Sequence, residues 1–360
     1  KREHLIETLS SMGGWDAARL QTICAPVAGM TDPWHYRNKG QFPFQMLNGK
    51  LEAGFYAPRS HKLVPIDHCL IHHQTINEIL SWTVAAARQA GLQAYNENTR
   101  QGALRHLIVR HGFKTNQTLV AFVTRAKDVP GLAGIASRLM LAFPSVVGVV
   151  QNLNPKAGNR ILGDQTLSLA GSTSYLDNIA ELRFEVSLPS FFQVNPLQTE
   201  VLYATAAELA DVGPDETVLD AYSGAGTISL WLARHGHKVN GIEVVATATA
   251  DAERNAALNQ IEQASFITAK VEDCLPSLLG QLHKPPVLIL DPPRKGCEPQ
   301  VLDAVASSGI TQVVYVSCNP ATLARDSARL KAAGFQLDAL RPVDMFPHTH
   351  HLETVARFCR

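Results

Sequence analysis

From about Pro196 to the C-terminus, short apolar runs alternate with helix-forming stretches, and this alternation constrains the fold more than any other feature. The runs are ETVLDAY, HKVNGIEVV, ASFITAKVED, PPVLILDPP, QVVYVSCNP, FQLDALRPVDMF and LETVARFCR, with helical segments near ISLWLARHG and through ADAERNAALNQ and ATLARDSARLKAAG. Strands that are apolar along their whole length are buried on both faces, and helical crossovers supply that cover, so a parallel sheet is expected. The last two runs follow each other with no helix between them, so one of them must run antiparallel. Seven strands are predicted.

Upstream the pattern changes. HLIETLSSMGGW has apolar residues at helical spacing and stops at Gly13-Gly14, which suggests a helical lead-in over 1–25. Between 26 and 192, β-rich runs such as HLIVRHGF, TLVAFVTRA and SVVGVVQNL are separated by turn clusters, with one amphipathic helix, TINEILSWTVAAARQA. This segment reads as an α+β domain on an antiparallel sheet, followed by the α/β domain over 193–360. A hydrophobic fraction of 46% with 18% charged residues supports two folded cores over 360 residues. The formal net charge is zero, so a nucleic-acid partner would have to be held by a local patch. The six cysteines show no paired spacing and read as reduced thiols. With no apolar run of about 18 residues and no signal-peptide pattern, a cytoplasmic protein without membrane attachment is expected.

In an open parallel sheet, ligands bind beyond the carboxyl ends of the strands, so residues there are the first candidates. Asp220 ends the first run, before Gly224 and Gly226, and Glu243 ends the second, placed to accept hydrogen bonds from ribose hydroxyls. The third glycine of a dinucleotide fingerprint is Ser229. An acid before a two-glycine turn, with a second acid on the next strand, suits S-adenosylmethionine, which carries a sulfonium and no phosphate. Pro292-Pro293 sets Asp291 toward the same crevice. The residue after them is Arg294, where enzymes that methylate exocyclic amines carry an aromatic ring, so amine methylation is disfavoured and a phosphate contact is expected instead. Cys318 ends the next strand, just before a helix whose N-terminus would stabilise a thiolate. Glu353 begins the last strand. A thiolate adding to carbon-6 of uracil makes carbon-5 nucleophilic, and a base must then remove the carbon-5 proton. Cys318 and Glu353 fit those two tasks.

At FFQVN, DAYSGAGTIS, DPPRKG, YVSCNPATLARD and FPHTHHLE the chain resembles the RNA uracil-C5 methyltransferases, and SCNPATLARD with HLET is more similar to the 23S rRNA branch than to the tRNA branch. The resemblance implies a Rossmann-like methyltransferase domain behind an RNA-binding domain. It makes Cys318 the nucleophile and Glu353 the proton acceptor, and it places Gln193, Tyr222, Thr227, Glu243 and Asp291 around the cofactor. The expected reaction moves a methyl group from S-adenosylmethionine to carbon-5 of a uridine in 23S rRNA. The alternatives are a tRNA uridine, cytosine carbon-5, or a silent RNA-binding protein.

Tyr36, Arg37, Lys39, Arg105, Arg110 and Arg294 are the candidate RNA contacts, since basic groups interleaved with aromatics suit phosphate contact and base stacking. Members of the rRNA branch hold an iron–sulfur cluster on three clustered cysteines and a later one. Only the later one, Cys69, is present, so no cluster is expected in this chain as given. A missing upstream segment, or a lineage that lost the cluster, would each account for this. His68, Cys69, His72 and His73 lack a second ligand pair at zinc spacing and are left unassigned. A monomer is expected.

Overall fold

The computed structural model describes residues 1–214, 216–282 and 284–360. They form two compact units: one of Lys1–Pro33, Ile179–Arg183 and Phe191–Arg360, the other of Trp34–Asn178 and Phe184–Ser190. The lead-in therefore belongs to the unit of the C-terminal α/β series and is not a segment of its own. Its helices α1 (Arg2–Ser11) and α2 (Ala17–Ile23) bury Leu5, Ile6, Leu9 and Leu20 in one core with Phe335 and Phe358. Trp15 Nε1 donates to Ser327 Oγ at 2.9 Å in the same core.

The other unit is a seven-stranded sheet of β1 (Lys39–Leu47), β2 (Lys50–Tyr56), β3 (Leu63–Pro65), β4 (Leu104–His111), β5 (Thr118–Thr124), β6 (Val146–Leu153) and β7 (Gln165–Gly171), in the order β3-β2-β1-β4-β5-β6-β7. Helix α3 (Gln74–Gln89) places Ile76, Ile79, Leu80, Val84 and Ala87 on one stripe, which packs on Phe42, Leu107, Val109 and Phe122. One expectation is corrected. The sheet is not wholly antiparallel, because α4 (Leu132–Ala142) is a crossover that leaves β5 and β6 parallel. A hairpin of β8 (Ser174–Ile179) and β9 (Leu182–Ser187) follows.

In the first unit, α5 (Pro196–Ala210) precedes the alternating series β10 (Thr217–Ala221), α6 (Thr227–Ala233), β11 (Lys238–Glu243), α7 (Ala246–Leu258), β12 (Ala264–Thr268), α8 (Val271–Gln281), β13 (Val287–Leu290), α9 (Pro299–Ser307), β14 (Gln312–Ser317) and α10 (Pro320–Ala332). β15 (Gln336–Val343) and β16 (Glu353–Cys359) close the chain. The strand order is β12-β11-β10-β13-β14-β16-β15, with β16 antiparallel to both of its neighbours, so the seven strands and the reversed final pair are as expected. Strand order reverses between β10 and β13, where an open sheet forms its ligand crevice. No helix among the described residues is long and apolar enough to cross a membrane.

Candidate active site

A cavity of about 960 Å³ opens at the carboxyl ends of these strands, and Gln193, Tyr222, Thr227, Glu243, Asp291, Arg294, Cys318 and Glu353 all line it. Its first wall is the turn from β10 to α6. Gly226 has φ +78°, and a Cβ there would lie 2.8 Å from the Phe266 ring and 2.9 Å from Ala252 Cβ, so the turn needs glycine. Asp220 is completely buried, accepts from Ser229 Oγ at 2.5 Å, and has its carboxyl pushed up to about 7 by burial. Glu243 accepts backbone N–H bonds from Gly224 at 3.0 Å and Val245 at 2.8 Å, which pins its carboxylate across the glycine turn. Tyr203 and Thr227 share a hydroxyl bond of 2.7 Å at the start of α6.

The second wall joins β14 to β16. Ser317 is the register partner of Thr354, so Cys318 and Glu353 are the next residues outward on two adjoining strands. The antiparallel β16 thus brings its first residue beside the last residues of a parallel neighbour. Cys318 is half-buried, and its thiol is pushed up to about 11, first by burial and then by the carboxylates of Glu353 and Asp291, with Arg294 acting in the opposite direction. Burial and the two nearby acids thus favour the protonated thiol, opposite in sense to the effect expected of the α10 N-terminus. Glu353 is 5% exposed, and burial raises it to about 7 against the lowering effect of Arg294. Burial, then Glu353 and Asp220, raise Asp291 as well.

Two supports escaped the sequence reading. Asn195 caps α5 by accepting from Gln198 N at 3.2 Å and donates to Met345 O at 3.0 Å, tying FFQVN to the loop that carries Phe346 into the cavity. Asp326, 1% exposed, accepts Cys297 N at 2.8 Å, while Arg325 Nη2 donates to Lys295 O at 2.9 Å. The end of ATLARD thereby fixes the DPPRKG loop.

The proposed RNA contacts divide. Arg294 is exposed at the cavity wall, with Nη2 at 2.9 Å from Nδ1 and 3.0 Å from Nε2 of His351. Arg37 and Lys39 are partly exposed in the other unit. Tyr36, Arg105 and Arg110 are buried, at 1%, 6% and 2% exposure, so they are not the surface groups the sequence suggested. Arg105 donates to the carbonyls of Asn154 and Lys156, and Arg110 to those of Ser187, Leu188 and Ser190. Both guanidiniums hold loops, because a long cation next to a strand end can satisfy several carbonyls at once. His68, Cys69, His72 and His73 do not converge, and no metal-ligating group of three or more is found among the described residues.

The fold and the acid-lined crevice define a methyltransferase that uses S-adenosylmethionine. The residues fit that cofactor: Asp220 Oδ1, Tyr222 Oη and Ser223 Oγ are buried at the cavity without partners, and the surrounding carboxylates tolerate a sulfonium but would repel a phosphate. A family model described as tRNA (Uracil-5-)-methyltransferase matches residues 177–358. RNA methyltransferases of Enterococcus faecalis and Halalkalibacterium halodurans are 43% and 41% identical, over 94% and 99% of this chain and 74% and 77% of theirs. The structure of Pyrococcus abyssi tRNA (uracil-54, C5)-methyltransferase with S-adenosyl-L-homocysteine superposes with a TM-score of 0.79 at 26% identity, covering 99% of this chain and 82% of that one. The chain belongs to the S-adenosylmethionine-dependent RNA (uracil-5-)-methyltransferase family.

Proposed function

We propose that the enzyme methylates carbon-5 of a uridine in 23S rRNA, with Cys318 as nucleophile and Glu353 as base. One observation carries the reading: a single cavity is lined by Cys318, Glu353 and Asp291 together with Glu243 and Thr227 of the glycine-turn side. Gln193, Tyr222, Thr227, Glu243 and Asp291 are the residues that would hold the cofactor, which supplies an electrophilic methyl group on a cationic sulfur. Cys318 Sγ loses its proton to water as it bonds to uracil carbon-6, and the displaced π electrons move through carbon-5 to the ring carbonyl. Once carbon-5 carries the methyl group, Glu353 takes its proton, the electrons left behind restore the 5,6 double bond, and Cys318 leaves carbon-6 as a thiolate. A carboxyl group poised near 7 is suited to accept that proton and return it to solvent. A uridine must leave its stack to reach this cavity, so the target is a looped or flipped nucleotide.

The test uses RNA tritiated at uracil carbon-5. Label should reach water only when the cofactor is present, and Cys318→Ala should abolish release while still binding S-adenosylhomocysteine. Full turnover by Cys318→Ala, or release from carbon-5 of cytosine instead, overturns the assignment. A second reading, a tRNA uridine, is favoured by the activity of the Pyrococcus abyssi protein. Mapping methyluridine in ribosomal and transfer RNA from cells lacking this protein separates the two.

A further inference from the structure

The loop between β15 and β16, residues 344–351, carries Phe346 into the cavity and ends two residues before Glu353. Three of its acceptors converge on one ammonium: Lys1 Nζ donates to Asp344 Oδ1 at 2.6 Å, to Phe346 O at 3.1 Å and to His351 O at 2.8 Å. An ammonium has three protons, one for each acceptor. Asp344 and His351 are the two ends of the loop, so a single side chain from the start of α1 closes its base. The Lys1 and Asp344 side chains are 21% and 20% exposed, so the pair is largely withdrawn from water and stronger than an open surface ion pair. The segment after α2 adds to this hold, because Asp344 N donates to Ala28 O at 2.9 Å. His351, whose carbonyl Lys1 holds, sets its ring edge-on to Phe346 with centroids 6.0 Å apart and meets Arg294 Nη2 through its ring nitrogens at 2.9 and 3.0 Å. Without the ammonium, a carboxylate and two carbonyl oxygens would face one another with nothing positive between them, and the loop would open.

We propose that Lys1 is a positioning residue for methyl transfer: by closing the base of the 344–351 loop it sets Phe346 and His351, and through them the start of β16 with Glu353, at the cavity. Lys1 is not among the residues lining the cavity, so it acts through the loop and not on the reacting atoms. A displacement of about 1 Å in a base or in the wall beside it is enough to slow a reaction strongly. The catalytic part of the proposal rests on Glu353 acting as the base, whereas closure of the loop by Lys1 does not.

The experiment compares wild type with Lys1→Met, which keeps the length of the side chain and removes its charge, by hydrogen exchange of the intact protein and by tritium release from RNA labelled at uracil carbon-5. Exchange should quicken by about tenfold at the amides of Asp344, Thr349 and His351, which donate to Ala28 O, Phe346 O and Thr349 Oγ1, while β10 and β14 exchange as in wild type. At saturating RNA, kcat should fall about ten- to a hundredfold with KM for S-adenosylmethionine unchanged. Counting kcat per S-adenosylhomocysteine-binding site keeps unfolded protein out of the comparison. Asp344→Asn should add little to Lys1→Met, because both act on one contact. Wild-type exchange in the loop, wild-type kcat, or losses that simply multiply in the double variant overturn the role of Lys1. If wild type itself releases no tritium from uridine, the uridine reading falls and exchange alone decides the loop: quickened exchange keeps the closure by Lys1, and unchanged exchange sinks it.

Discussion

Tyr315 on β14 donates its phenol hydrogen to Asp326 on α10 at 2.7 Å, and the same buried carboxylate accepts the backbone N–H of Cys297. A strand, a helix and the DPPRKG loop are therefore fastened at one point beneath the cavity. Asp326→Ala should cost on the order of 3 kcal/mol, since it strands a buried phenol and a buried N–H and releases Arg325. Denaturant melts measure the loss. Turnover should fall further than stability alone explains, because the loop carrying Arg294 is freed, and a variant as stable as wild type would contradict this role.

Asn195 holds the loop before β16 by a different means. Asn195→Ala removes a helix cap and leaves Met345 O unsatisfied, so a loss of about 2 kcal/mol is expected. The same variant should bind cofactor and lose turnover, since Phe346 and Glu353 lie on either side of the loosened segment. Calorimetry and single-turnover assays read the two effects separately.

The chemical state of Cys318 is open to direct measurement. A thiol held at about 11 should react with iodoacetamide at about pH 8 roughly a hundredfold more slowly than free cysteine. Glu353→Gln removes one of the negative charges that raise it, so alkylation at position 318, followed by peptide mass mapping, should become faster. A slower reaction would mean that Glu353 does not face the sulfur.

Arg294 works in the opposite sense on both groups, lowering Glu353 and Cys318. Arg294→Gln should therefore move the acidic limb of the pH–rate profile to higher pH, because more base is needed to ionise Glu353. Profiles that superimpose would remove Arg294 from the electrostatics of the site.

Burial of Glu353 also carries a stability signature. Its carboxyl ordinarily titrates at 4.5 and is raised to about 7 in the folded protein, so the folded state binds the extra proton between those values. The unfavourable contribution is absent below about 4.5 and grows as pH rises toward 7, reaching at most about 3 kcal/mol. Glu353→Gln should accordingly gain thermal stability over wild type at about pH 8 and little at about pH 4. Equal differences at both values would show that Glu353 is solvated.

Local patterns along the chain were enough to count the seven strands, reverse one of the last two and point to Asp220, Glu243, Asp291, Cys318 and Glu353, because each lies where an apolar run meets a turn or begins a strand; the order of the strands came only with the fold. Such patterns say nothing about what lies above a residue. Arg105 and Arg110 look like surface cations in a basic stretch, yet loops from 49 and 77 or more residues away cover them with carbonyls. The thiol at 318 follows the same logic: its position is written in the strand and helix around it, but its protonation is set by burial and by acids contributed from β13 and β16. Sequence determined which groups stand at the crevice. Only the packing of distant segments decided their charge and exposure, since desolvation and Coulomb energy depend on neighbours in space and not on neighbours in the chain.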